Sequence, residues 1–126
     1  LQSDLVDLVE AAIDGRLDSV QAQWDPRPSL GVVMASKPYP EAPVIGEVIE
    51  GLDAVPAEAK VFHAGTALDA VGNVITAGGR VLCVAALGDS VADAQRHAYA
   101  GVDAIHWPHE FHRRDIGWRA IAREQR

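Results

Sequence analysis

The stretch from residue 78 to residue 103, GGRVLCVAALGDSVADAQRHAYAGVD, decides the fold of this chain. Gly78 and Gly79 can form a sharp turn just before the apolar run 80–87, which predicts a strand. Ser90 is placed to cap a helix that runs through Asp103. The apolar residues of that helix share one face: Val91, Ala94, Ala98 and Val102. The stretch therefore predicts a strand followed by an amphipathic helix.

The segments before this stretch predict another helix, another strand and a loop. Ser3 is a candidate N-cap for a helix that Gly15 can end, with apolar residues at helical spacing: Leu5, Leu8, Val9, Ala12 and Ile13. The apolar run 30–35 predicts a buried strand. Residues 36–43 contain three of the seven prolines and predict a loop, the kind of segment that often carries function.

The middle of the chain predicts a hairpin. Residues 61–68 and 73–76 suit two antiparallel strands joined by a turn that begins at Asp69. Residues 45–52 before them predict a short turn or helix. The tail is irregular after residue 105, and a final helix is predicted over residues 116–124.

Composition and charge exclude several classes of protein. The chain has 126 residues, 48% hydrophobic and 23% charged, as expected for one ordinary globular domain. A net charge of −7 argues against a broad nucleic-acid surface but leaves room for a small anionic ligand at a local arginine. No apolar run approaches the ~20 residues of a membrane helix, and no signal-peptide pattern leads the chain. The single Cys83 cannot form an internal disulfide, so we expect a cytoplasmic protein.

Two sequence features suggest chemistry that their surroundings disfavour. His106, His109 and His112 could approach one zinc ion if the backbone were helical, but Pro108 argues against that geometry. Cys83 lies in an apolar run, where burial raises a thiol pKa, so a structural thiol is favoured over a nucleophile. No phosphate-binding glycine motif is present either.

Two predicted strand ends offer a better candidate site. Small residues in His63-Ala64-Gly65-Thr66 and in Thr76-Ala77-Gly78-Gly79-Arg80 would let a ligand approach the backbone. The planar guanidinium of Arg80 suits a phosphate or a carboxylate, and Thr66 can add a hydroxyl. A simple hairpin turn with a surface arginine remains the alternative.

Five blocks in order carry a resemblance that covers essentially the whole chain. They are residues 2–5 (QSDL), 29–40 (SLGVVMASKPYP), 61–66 (VFHAGT), 78–82 (GGRVL) and 114–121 (RDIGWRAI). Together they resemble the C-terminal region of the phosphoribosylamine-glycine ligases, also called glycinamide ribonucleotide synthetases.

The resemblance implies an ATP-grasp enzyme of de novo purine biosynthesis. Such a ligase joins glycine to 5-phosphoribosylamine and cleaves ATP to ADP and phosphate through an acyl phosphate. ATP and magnesium (or manganese) would bind in preceding domains that this chain lacks. The implied fold class is α+β, mainly an antiparallel sheet with flanking helices, as in the C-terminal domain of biotin carboxylase.

The resemblance also implies which residues face the substrate cleft, namely His63, Gly65, Thr66, Gly79 and Arg80. Arg80 is expected to contact a phosphate or a carboxylate, and no catalytic base, metal ligand or cofactor ligand is assigned in this chain. We expect residues 1–126 to form one C-terminal domain, inactive alone, whose helix over residues 1–16 leads out of the absent ATP-grasp region. The absence of an initiator Met before Leu1 favours the same expectation.

The partners implied are phosphoribosylamine, glycine and the absent N-terminal and ATP-grasp domains, without nucleic acid or membrane. A stand-alone binding or scaffold module is the alternative from another class. An exposed apolar face on the first helix or on the sheet would favour the fragment, whereas a wholly polar surface would favour the module.

Overall fold

A four-stranded antiparallel sheet organises the chain in a computed structural model, which describes residues 1–125. The sheet has the order β2-β5-β1-β6, with β1 (Ser29–Ser36), β2 (Ala59–His63), β5 (Arg80–Leu87) and β6 (Glu110–Phe111). A separate hairpin consists of β3 (Thr66–Leu68) and β4 (Val74–Thr76). The α-helices of the described residues are α1 (Leu5–Ile13), α2 (Val91–Ala104) and α3 (Trp118–Glu124). The predicted α+β class is confirmed.

The strand and helix of residues 78–103 form the centre of the fold. Strand β5 pairs with β1 on one side and β2 on the other, so its apolar residues lie in the middle of the sheet. Helix α2 begins where expected, because the Ser90 hydroxyl accepts a hydrogen bond from the Asp93 N–H at 3.1 Å. Its buried residues are small and let it pack closely on β1 and β5: Ala94, Ala98, Gly101 and Val102.

The first helix is capped one residue later than predicted. Asp4, not Ser3, is the N-cap, and its carboxylate accepts a 2.7 Å hydrogen bond from the Val6 N–H. The Ser3 hydroxyl instead accepts from the Gln23 N–H, also at 2.7 Å. The prediction was wrong because both residue types can cap a helix, and the returning segment at Gln23 occupies one of them.

The predicted hairpin divides between two sheets. Residues 61–63 belong to β2, which pairs with β5, and only Thr66–Leu68 pairs with Val74–Thr76. The N–H groups of Ala64 and Gly65 both donate to the Val81 carbonyl, at 3.0 and 3.1 Å. Two residues opposite one form a bulge, and this bulge ends β2 and bends the chain into β3.

Two other segments also differ from the predictions. Residues 45–51 form no helix and make single bridges at Val48 and Glu50, and only Leu52–Ala54 forms a short 3₁₀ turn. Their backbone groups pair with β4 and with His106, which replaces the local helix. The last helix begins at Trp118, two residues later than predicted.

Large apolar side chains remain exposed on two surfaces. On α1 four residues are between 49% and 80% exposed, namely Leu5, Val6, Val9 and Ile13, while Ala11 is buried. On the sheet face opposite α2, a cross-strand row of Phe62, Cys83 and Val33 is at least partly open. No helix within residues 1–125 is long and apolar enough to cross a membrane.

Candidate functional site

Three chain segments meet where β5 begins. They are the loop 36–43 after β1, the bend 63–66 between β2 and β3, and the turn 77–80 between β4 and β5. Backbone hydrogen bonds join them, from the Ala77 N–H to the Gly65 carbonyl at 2.7 Å and from the Ser36 N–H to the Gly79 carbonyl at 2.9 Å. We call this region the turn cluster, and it contains all five residues proposed from the sequence.

The two glycines of the candidate site are required by protein packing. A Cβ atom on Gly65 would lie 2.6 Å from the Arg80 carbonyl oxygen and 3.0 Å from Gly78 Cα. A Cβ atom on Gly79 would overlap the ring of Tyr39, with Cε2 at 3.2 Å and Cγ at 3.4 Å. The space that the sequence pattern would open to a ligand is therefore filled on those sides by the protein itself.

His63 and Thr66 contact each other across the bend. His63 Nδ1 lies 3.1 Å from Thr66 Oγ1, a hydrogen bond in which the hydroxyl can donate or accept according to the imidazole tautomer. His63 is exposed and Thr66 is half-buried. The pair holds the bend together and leaves His63 Nε2 on the solvent side of the contact.

Arg80 differs from most other arginines of the chain. Within residues 1–125, five of them pair with a carboxylate at 2.6–2.8 Å: Arg16, Arg27, Arg96, Arg113 and Arg114. Arg80 is exposed and has no hydrogen-bonded or ionic side-chain partner within residues 1–125. Its guanidinium is thus available to an external anion at the turn cluster.

The three histidines of residues 106–112 do not converge. His109 Nδ1 contacts Glu47 Oε1 at 2.5 Å, and His112 Nδ1 contacts Glu110 Oε1 at 2.5 Å. In the part of the chain that the structure describes, no group of three or more His, Cys, Asp or Glu residues is arranged to hold a metal ion. The His109 imidazole instead joins residues 106–112 to Glu47, whereas His112 contacts Glu110 two residues away.

Cys83 is less buried than its apolar run indicates. It is only partly buried, on the sheet face opposite α2, and desolvation by the surrounding apolar groups raises the pKa of its thiol. A raised pKa keeps the sulfur protonated near neutral pH, so the predicted weak reactivity is supported.

Arg114 and Arg119, which follow β6, are engaged outside the turn cluster. Arg114 pairs with Asp103 on α2 at 2.7 Å and lies over the Tyr99 ring, and Arg119 lies over the Trp118 ring at 5.2 Å. These contacts engage both guanidinium groups away from the candidate site.

Tyr39 lies in the turn cluster but was not among the site residues predicted from the sequence. The loop 36–43 was predicted to carry function, but no residue in it was selected. Its prolines and its position after a buried strand were the available signal, whereas the contact with Gly79 depends on a turn some forty residues away.

An open groove of about 810 Å³ lies at the opposite end of β5. Its walls include Lys60, Phe62, Leu87 and Arg96. Two of its cations, Arg27 and Arg96, are paired with Asp25 and Asp93. The groove therefore offers these two guanidinium groups in a neutralised form.

Comparison with known proteins relates the chain to one family. The family model described as phosphoribosylglycinamide synthetase, C domain, matches residues 29–119. The phosphoribosylamine-glycine ligase of Xanthomonas campestris pv. campestris is 80% identical over 125 residues, which are 99% of this chain and 29% of that protein. The ligase of Allochromatium vinosum is 62% identical over 126 residues, again 29% of its length.

A solved structure agrees with the fold described above. The crystal structure of phosphoribosylamine-glycine ligase from Thermotoga maritima superposes with a TM-score of 0.69 at 33% identity, covering 86% of this chain and 27% of that one. The chain thus spans less than a third of the length of these relatives. Because the family model spans β1 to the start of α3, the chain belongs to the phosphoribosylglycinamide synthetase C-domain family.

Proposed function

We propose that the chain is the C-terminal domain of a phosphoribosylamine-glycine ligase and that it lines the substrate cleft without catalysing a reaction alone. The whole protein would join glycine to 5-phosphoribosylamine with ATP, giving glycinamide ribonucleotide, ADP and phosphate in the cytoplasm. The names and lengths of the relatives support this proposal, since each carries the same activity in its name and is more than three times as long.

The available guanidinium of Arg80 is the observation that carries the substrate assignment. It extends from the turn cluster, where His63 and Thr66 supply further polar atoms. Phosphoribosylamine carries a phosphate and glycine a carboxylate, and both are anions that a planar guanidinium binds through paired hydrogen bonds. We propose that Arg80 binds one of these anions and that Gly65 and Gly79 allow the close packing that positions Arg80.

ATP and its magnesium (or manganese) are assigned to the remainder of the whole protein. Within residues 1–125 the carboxylates form no cluster suited to a divalent cation, and no glycine-rich phosphate loop is present. The residues within 1–125 therefore do not fit either group.

The exposed apolar face of α1 favours the fragment over a stand-alone module. Residues 1–28 precede the part that the family model matches, and α1 packs mainly on the neighbouring turn Leu17–Ser19. A helix with Leu5, Val9 and Ile13 in solvent is expected to be covered by another surface. We propose that residues 1–16 belong with the preceding ATP-grasp region of the whole protein.

A chimeric ligase tests the proposal. In the Xanthomonas campestris ligase, the matching 125-residue segment would be replaced by this chain, an exchange that 80% identity makes conservative. ADP release would be followed with phosphoribosylamine formed in the assay from ribose 5-phosphate and ammonia. Arg80→Gln should raise KM for phosphoribosylamine or for glycine about ten- to hundredfold and leave KM for ATP unchanged.

Arg96→Gln is the matched control. Arg96 lies near the Leu87 end of β5, and an eight-residue strand separates it from Arg80 by roughly 20 Å. A folded but inactive chimera would contradict the proposed activity, and equal effects of the two substitutions would contradict the role of Arg80. Tight ATP binding by the isolated chain in calorimetry would overturn the division between the domains.

A further inference from the structure

We propose that Tyr39 is a further member of the substrate site, holding its phenol hydroxyl toward the sugar phosphate bound at Arg80. The inference rests on the proposed function, because the ligand is the phosphoribosyl group of that reaction. Tyr39 would be a binding residue that selects and positions the substrate. Three features of the structure carry the assignment.

The first feature is the position of the ring. Tyr39 lies against the Cα atom of Gly79, so closely that no side chain fits between them. Gly79 and Arg80 are consecutive, with Cα atoms about 3.8 Å apart. The aromatic ring therefore lies beside the residue that immediately precedes Arg80 at the start of β5.

The second feature is that the loop holds the ring in place. The Tyr39 N–H donates to the Ser36 carbonyl at 3.0 Å, and the Lys37 N–H donates to the His109 carbonyl at 2.8 Å. Ser36 is fully buried, and its hydroxyl accepts a 2.8 Å hydrogen bond from Trp107 Nε1. A ring with a fixed backbone on one side and Gly79 on the other loses little further freedom when a ligand binds.

The third feature is the free hydroxyl. Tyr99, the other tyrosine, uses its hydroxyl within the fold, donating to the Arg113 carbonyl at 2.7 Å and accepting from the Ile116 N–H at 3.2 Å. The Tyr39 hydroxyl has no such partner among residues 1–125, and the side chain is 37% exposed. The Tyr39 ring packs against the protein, whereas the hydroxyl is left to donate a hydrogen bond to a ligand.

Together the two side chains suit a phosphorylated sugar better than a simple anion. The guanidinium of Arg80 supplies charge and paired donors for phosphate oxygens. A phenol adds one neutral donor and an apolar ring face against which the carbon side of a pentose can pack. We infer that Tyr39 contributes to the discrimination between phosphoribosylamine and a free phosphate ion.

Substitutions in the chimeric ligase separate this role from a structural one. Tyr39→Phe keeps the ring on Gly79 and removes the donor, so KM for phosphoribosylamine should rise about tenfold with kcat within about twofold and an unchanged unfolding midpoint. Tyr99→Phe is the matched control, because it should lower the unfolding midpoint and leave KM unchanged. A wild-type KM in Tyr39→Phe would overturn the proposal.

Gly79→Ala provides a second test of the ring's position. The new methyl group must displace Tyr39, so the single variant should raise KM at least as much as Tyr39→Ala. The double variant Gly79→Ala/Tyr39→Ala has no ring for the new methyl group to displace, so its KM should equal that of Tyr39→Ala alone. Additive effects of the two substitutions on KM would refute the contact between Tyr39 and Gly79.

A folded, inactive chimera would refute the proposed function and this inference together. A wild-type KM in Tyr39→Phe within an active chimera would refute the inference alone.

Discussion

Ser36→Ala should destabilise the protein out of proportion to the single atom that it removes. Ser36 is fully buried and Trp107 is 6% exposed, and the indole N–H donates to the serine hydroxyl at 2.8 Å. An indole nitrogen is only a donor, so the alanine variant leaves a buried donor without an acceptor. A buried polar group left unsatisfied costs about 1–3 kcal/mol of unfolding free energy. For a domain of this size that corresponds to a midpoint lower by roughly 3–15 °C.

Urea unfolding followed by tryptophan fluorescence measures this loss directly. Trp24 and Trp118 are 67% and 54% exposed in the native state, so the change in emission on unfolding should come mainly from Trp107. The urea midpoint should fall while the slope of the transition stays constant, because the surface exposed on unfolding is nearly unchanged. Ser29→Ala, at an exposed position of the same strand, should change the unfolding free energy by less than about 0.5 kcal/mol.

A double-mutant cycle isolates the hydrogen bond from other effects of the alanine. Trp107→Phe removes the donor, so Ser36→Ala in that background should cost less than about 0.5 kcal/mol. Because Trp107→Phe also removes the main fluorescent reporter, unfolding of all four proteins is followed by far-UV circular dichroism. An equal cost of Ser36→Ala in both backgrounds would show that the hydrogen bond does not contribute, and so would a cost near zero in the wild-type protein.

Two further predictions concern backbone conformation and pH. Gly117→Ala should cost about 2–4 kcal/mol of unfolding free energy, because φ at this residue is 86° and the new methyl group would overlap Leu30 Cδ1. Gly72 has a similar φ of 91° but open space around it, so Gly72→Ala should cost only about 1 kcal/mol. Urea titrations of both variants check the difference, and equal losses would exclude the contact with Leu30. Hydrogen bonds from Arg27 lower the pKa of Asp25 from 3.8 to about 2, so the carboxylate adds stability above the unfolded-state pKa that is lost as the pH falls toward 2. Asp25→Asn should therefore be less stable than the wild type at pH 5–7 and equally stable near pH 2, which thermal unfolding measured from pH 2 to pH 7 would show. A stability difference that does not change with pH would contradict the lowered pKa of Asp25.

Helix and strand signals that act within a few residues were predicted from the sequence. Ser90 and the Asp93 N–H that it caps are three positions apart, so this cap of α2 could be predicted locally, although the Val91 N–H also donates to the distant Glu124 carboxylate at 2.9 Å. The run 80–87 coincides with β5 because an uninterrupted apolar segment after a glycine turn is stable only inside a sheet. The resemblance of five short blocks to one ligase family also required only the sequence, and the family comparison confirms it.

The candidate site was predicted as a set of residues but not as an arrangement. His63, Gly65, Thr66, Gly79 and Arg80 do lie in one turn cluster, and their role toward substrate stays a prediction. The glycines, however, contact protein rather than open space, since the backbone of residues 78–80 and the Tyr39 ring fill their surroundings.

The sequence by itself therefore determined the local elements, the family and the residues worth testing. Only the tertiary structure decided that the chain bends at Ala64 and Gly65, so that β2 pairs with β5 while β3 pairs with β4. The contact of the Tyr39 ring with Gly79 likewise depends on the tertiary structure. The physical reason is the separation of the groups along the chain. A cap or an apolar run is favoured by its own neighbours, whereas strand pairing and ring packing depend on residues brought together from distant positions by burial of the common core.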